Sequence, residues 1–169
     1  MHLLIALLFV GLSFQPLDGK QLQRTFELYQ RTNQLADVDP ELILPAVTAA
    51  LTAETDRFPA ELLLAVAWGE SRFISSTHTG KACGIMQTIP SKPDDCRRWL
   101  DPVEGFKAGV AELIEWSRDA RTHNDVRTIL LAYACGNQAF DGTCIKEKWP
   151  DWVLARARRL GMRNVRPLS

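Results

Sequence analysis

Residues 58–87 read FPAELLLAVAWGESRFISSTHTGKACGIMQ, and the reading of this stretch decides the fold. Pro59 suits a first helical position, where a fixed φ and a missing N–H cost nothing. Leu62, Leu63, Val66 and Trp68 follow too densely for a one-sided amphipathic helix, so the pattern predicts a buried one. The apolar run breaks at Gly69-Glu70-Ser71. A carboxylate at the end of a buried helix sits in an expensive place, and the glycine beside it leaves room for close approach. A polar loop follows, Ser75 to Lys81, and then Gly84-Ile85-Met86-Gln87 predicts a second brief turn or helix.

Outward from this centre the chain continues in helical period. Leu22, Phe26 and Tyr29 predict an amphipathic helix up to about Ala36. Asp39 and Pro40 open the next, which carries Leu42, Leu44, Val47, Ala50 and Leu51, with Pro45 expected to shorten or kink its beginning. Past Gln87, Pro90, Pro93 and Asp94-Asp95 read as an irregular loop that Cys96 ties down. Asp101-Pro102-Val103-Glu104 is a helix opening with the makings of a capping box, and the helix runs on to about Ala120. Asn124 or Asp125 starts a helix from Val126 to Cys135 that Gly136 ends, and Pro150 opens a last one closed by Gly161. Nothing reads as a strand, and the expectation is an all-α chain of about six or seven helices around one core.

The 169 residues suit a single domain, and a formal net charge of zero argues against general affinity for nucleic acid. Arg156, Arg158, Arg159, Arg163 and Arg166 make a local basic stretch, read as a solvated helix face, with an anionic polymer or membrane as the functional alternative. The apolar run Leu3–Leu12 is too short to span a bilayer and suits a signal-peptide core, with an uncleaved anchor or a buried helix as alternatives. Four cysteines, Cys83, Cys96, Cys135 and Cys144, fit two disulfides in an oxidising compartment. Three pairings are open; the local one joins Cys83 to Cys96 and Cys135 to Cys144, closing short loops on either side of the central stretch. No spacing of Cys or His favours a metal, and no cofactor is expected.

Several of these features occur as an ordered set: Glu70-Ser71 ending an apolar helix, Phe73, Gly84-Ile85-Met86-Gln87, Asp101-Pro102, and Ala132-Tyr133-Ala134-Cys135-Gly136. The set resembles the soluble lytic murein transglycosylase family, lysozyme-like enzymes that cleave bacterial peptidoglycan. Its members show Glu-Ser, an aromatic residue, Gly-Leu-Met-Gln and Ala-Tyr-Asn-Ala-Gly in the same order. The resemblance covers roughly Leu42 to Leu160, and suggests residues 42–162 as a lysozyme-like domain. Residues 1–19 are then the leader, 20–41 an N-terminal helix and linker, and 163–169 a tail.

Breaking a glycosidic bond requires a proton for the leaving oxygen, and a carboxyl holds one at neutral pH when apolar neighbours disfavour its charge. Glu70, near Trp68, Phe73 and Met86 in sequence, is the residue of choice on that ground alone. The resemblance implies that it is the one essential carboxylate. It acts first as acid and then as base towards the muramoyl C6 hydroxyl, leaving a 1,6-anhydro sugar. Asp94, Asp95, Asp101 and Asp141 are the other acids to consider, and none stands out.

The resemblance extends to helpers. Ser71 binds substrate or steadies the helix end, Gln87 binds an N-acetyl group or orients Glu70, Met86 lines the cleft, and Gly84 allows close backbone approach. Tyr133 is expected to hydrogen-bond Glu70. Ala134 replaces the family's asparagine, with Asn137 as a substitute, and His78 stands where members often have serine, with Thr77 or Thr79 able to serve. The partner implied is the peptidoglycan strand, met by an exported monomer of a cell wall, a phage, or a secretion or conjugation apparatus. The alternatives are a hydrolytic muramidase on the same fold and a peptidoglycan-binding or assembly protein without activity.

Overall fold

The computed structural model describes residues 19–92 and 94–163, so the leader reading, Pro93 and Arg166 lie outside the described residues. Among these residues the chain forms seven α-helices: α1 (Gly19–Leu35), α2 (Pro40–Ala53), α3 (Ala60–Ser71), α4 (Asp95–Arg98), α5 (Pro102–Arg118), α6 (Val126–Cys135) and α7 (Trp149–Leu160). Two 3₁₀ turns, Ala120–Thr122 and Gly136–Ala139, flank α6. The only sheet among them is a hairpin of β1 (His78–Thr79) and β2 (Ala82–Cys83), paired antiparallel with His78 opposite Cys83.

α3 is the centre, as its sequence requires. Every residue from Leu62 to Trp68 is buried, because a helix apolar on all sides must be covered on all sides. α2 and α7 pack against it, α5 lies against α2, α6 sits between α5 and α7, and α1 packs on α2 and α7. Phe58, Ile43, Met86, Phe106, Leu113, Ile129 and Leu160 complete the core without exposed surface or nearly so.

The helix starts are where their caps place them. Asp39, Asp101 and Asp125 each accept from a backbone N–H in the first turn of α2, α5 and α6. Glu104 does not return the bond to Asp101. Its carboxylate goes to Arg98 and Lys107, so the box is half made. Pro59 is the residue before α3 rather than its first. α2 runs through Pro45, whose early and exposed position leaves the freed carbonyl of Glu41 to solvent. α1 buries Leu28 and Thr32, while Leu22 and Phe26 stay exposed, so its contact stripe lies beside the one the apolar residues suggest.

α3 stops at Arg72 and Phe73, two consecutive non-glycine residues with φ of 53° and 67°. Such left-handed residues are costly and persist where packing over-determines them, here with Phe73 buried beneath the helix end. Gly69 admits the indoles of α7: a Cβ there would lie 2.8 Å from Trp152. The close approach read beside Glu70 is therefore made by this tryptophan. Arg156 stacks on Trp68 and Trp152, at 3.0 and 3.9 Å from the ring centroids, which takes one of the C-terminal arginines out of any free basic patch.

Candidate active site

Glu70 is the penultimate residue of α3, where backbone carbonyls converge and disfavour another negative charge. Its side chain is only 13 % exposed. Burial pushes the carboxyl above its ordinary range, opposed by the Lys146 ammonium, which lies 3.9 Å from Oε1. A carboxyl so placed keeps a proton to higher pH than a surface glutamate and can give it to a leaving group. Arg72, the partner an ordinary helix-end glutamate would choose, makes no ion pair with it.

This carboxyl opens on a cleft of about 390 Å³, lined by Gly69, Glu70, Thr79, Ala82, Gln87, Ile89, Glu112, Tyr133, Ala134 and Lys146. The end of α3 makes one side, the hairpin and the turn after it another, α5 and α6 a third. Lys146 reaches in from the loop before α7. Larger hollows exist; the one of about 620 Å³ lined by His123, Arg127, Asp151, Arg158 and Arg163 shares no residue with the cleft.

Of the residues singled out in the sequence, Glu70, Gln87 and Tyr133 meet in this cleft. The Gln87 amide is fixed by two bonds: its Nε2 donates to the carbonyls of Thr77 and Gly84, both at 2.8 Å. Its Oε1 is left buried without a partner, an acceptor ready for an N–H. The Tyr133 hydroxyl donates to the Met86 carbonyl at 2.6 Å instead of to Glu70. Burial, with Glu112 and Glu70 adding to it, raises this phenol well above its ordinary range, so it stays neutral.

Ser71, Gly84 and Met86 stand behind the cleft. The Ser71 hydroxyl reaches the Ile85 carbonyl at 2.7 Å and ties the end of α3 to the turn that carries Gln87. Gly84, at φ 81°, lies against Trp99, where a Cβ would come within 3.0 Å of that residue's own Cβ. The Met86 side chain is fully buried against Gly109. Asn137 points elsewhere: its Oδ1 accepts from Arg121 at 3.0 Å. His78 is exposed, while Thr79 lines the cleft.

The four cysteines form the local pairs, Cys83–Cys96 and Cys135–Cys144. The first joins the hairpin to α4, a short helix where the sequence suggested only a loop. The second ties the end of α6 to the loop bearing Lys146. Among the described residues, no group of His, Cys, Asp and Glu is arranged to hold a metal.

Glu112 and Lys146 are the site residues that the sequence reading missed. Asp95 and Asp141 hold their own turns and Asp101 caps α5, while Asp94, the residue before α4, makes no side-chain cap bond; none of the four lines the cleft. The second carboxyl in the cleft is Glu112. Gly105 and Gly109 let α5 approach Ile85 and Met86, and Glu112 and Trp116 continue that same face by helical spacing. That spacing was the available signal. Lys146 had none, because a loop lysine acquires meaning only from where the Cys135–Cys144 bond puts it.

No curated protein and no solved structure matches the chain. A family model does match, that of the transglycosylase SLT domain, over residues 48–149, which span the α3 acid, the Gln87 turn, α5 and α6 with Tyr133. With the helical fold and the buried glutamate at its cleft, the match shows that the chain belongs to the SLT transglycosylase family.

Proposed function

We propose that the protein is an exported lytic transglycosylase that cleaves the β-1,4 bond between N-acetylmuramic acid and N-acetylglucosamine in peptidoglycan. The observation that carries the reading is Glu70, a nearly buried carboxyl with a raised pKa at the mouth of a polar cleft. In the first step Glu70 gives its proton to the glycosidic oxygen, and the bond from that oxygen to C1 of the muramoyl residue breaks. The Glu70 carboxylate then takes the proton of the C6 hydroxyl as O6 bonds to C1. The proton is back on Glu70, and no water has been consumed. Gln87 Oε1 accepts from an acetamide N–H of the substrate, and Lys146 steadies the carboxylate between the two steps.

Glu112 supports a second reading, a muramidase in which another carboxyl activates water. Mass spectrometry of the muropeptides released by the oxidised protein separates the two. The transglycosylase reading expects products one water lighter than hydrolytic ones, and at least about 10²-fold less release by Glu70→Gln. Hydrated products would favour the muramidase. Full lysis by Glu70→Gln would remove Glu70 from catalysis, and no release by folded wild-type protein would point to a binding or assembly role.

A further inference from the structure

The cleft at Glu70 has a neighbour, a hollow of about 430 Å³ whose lining includes Ser91, Trp99, Glu115, Trp116 and Asp119. The two spaces share Ile89 and Glu112. A glycan strand extends past the bond being broken, so on the cleavage reading above a side chain at this junction meets sugar. Glu112 is half-buried there and has no ion-pair partner among the described residues.

The charges around it are nearly all acidic. Glu70 faces it from α3, Glu115 from its own helix, and Asp119 from that helix's end; the phenol of Tyr133 faces it from α6. The one cation lining either hollow is Lys146, which lies against Glu70, and Arg121 is committed to Asp119 and Asn137. An anion in that position would be desolvated and repelled, with no cation beside it and a hydrogen bond from Trp116 as the opposing influence. Burial accordingly pushes the Glu112 carboxyl up to about 7, with Trp116 opposing and Glu115 and Glu70 adding to the rise. A carboxyl that keeps its proton has an O–H to offer.

We propose that Glu112 is a substrate-binding residue at the junction of the two hollows, donating a hydrogen bond from its carboxyl to an acceptor oxygen of an N-acetylated sugar. An acetamide needs both kinds of partner: Gln87 Oε1 takes its N–H, and Glu112 serves its carbonyl or a neighbouring hydroxyl.

Calorimetric binding of a peptidoglycan tetrasaccharide to the Glu70→Gln protein tests this, with Glu112 intact or changed to Gln or Ala. Circular dichroism confirms that each variant is folded. With Glu112 intact, Kd is expected to weaken several-fold from pH 6 to pH 8.5 as the donor is lost. Glu112→Gln, which still offers an N–H, is expected to bind within about threefold of the parent at pH 6 and to lose the pH dependence. Glu112→Ala is expected to bind about tenfold more weakly at pH 6. The proposal is overturned if Gln binds as weakly as Ala, if Ala binds like the parent, if the pH dependence survives in Gln, or if the parent does not bind. Wild-type protein that shows this binding pattern yet releases nothing from peptidoglycan would sink the cleavage reading and leave the binding role standing.

Discussion

At the scale of single residues, the cleft holds two carboxyls whose environments differ by one cation. Lys146 lies against Glu70 and favours its charged form; nothing comparable serves Glu112. Lys146→Met removes that help. Glu70 then keeps its proton to higher pH, and the alkaline limb of the kcat/KM profile for peptidoglycan release is expected to move up. Glu112 has a consequence for stability as well. In the unfolded chain its carboxyl ionises near 4.5, whereas in the folded protein it holds its proton to about 7. Between those values the unfolded state binds fewer protons at this group, so its contribution to stability falls as pH rises through the window and is flat on either side of it. Glu112→Gln removes the penalty. Urea denaturation is expected to find the variant more stable than wild type above pH 7, by up to about 3 kcal/mol, with no difference below about pH 4. Glu70 was legible in the sequence because its burial comes from its own helix, while Glu112 was not. A glutamate among apolar residues of an amphipathic helix reads as solvent-facing, and only the fold sets it beside Ile89, Tyr133 and Trp116 where the two hollows meet.

At the scale of elements, the site depends on how the turn holding Gln87 is clamped between helices. Ser71 fastens it to α3, Tyr133 fastens it to α6 through the Met86 carbonyl, and the two glycines of α5 let it seat. Gly109→Ala tests the seating. The added Cβ would lie 2.7 Å from the Cβ, Cγ and Cε atoms of Met86, too close to be relieved by the tip of a flexible chain alone. Overpacking of this kind is expected to cost about 1–3 kcal/mol in urea denaturation despite alanine's better helix propensity. Because Gln87 follows Met86 directly, KM is expected to rise with the loss. Helix ends marked by their own chemistry could be read in advance: the caps Asp39, Asp101 and Asp125, and the left-handed glycine that closes α7. The hairpin and α4 could not. They are a few residues long, and a disulfide and a few local backbone bonds, such as those between Cys83 and Thr88, hold them, none of which leaves a periodic pattern. The buried stripe of α1 was also out of reach, since Leu22 and Phe26 are as apolar as Leu28 and only the position of α2 and α7 chooses between them.

At the scale of the whole molecule, the apolar centre and the cleft are held by different forces. α3 and the helices around it are kept together by burial; the sides of the cleft are held by covalent bonds. One staple closes the segment that carries Gln87, and the other positions the loop that carries Lys146. Closing loops of these sizes contributes about 2–3 kcal/mol each to stability. Thermal melts with and without reductant are expected to show a lowered but still cooperative transition. Peptidoglycan release under reduction is expected to fall by more than the unfolded fraction explains. An outcome in which activity tracks the folded fraction alone would separate the staples from the site. In the expected case the thiols act as a timing device. A newly made chain in a reducing compartment would gather its helices and present Glu70 while its grip on the sugar stayed slack. On the proposed reading of an exported enzyme, cutting power would arrive only once both sulfur pairs had closed.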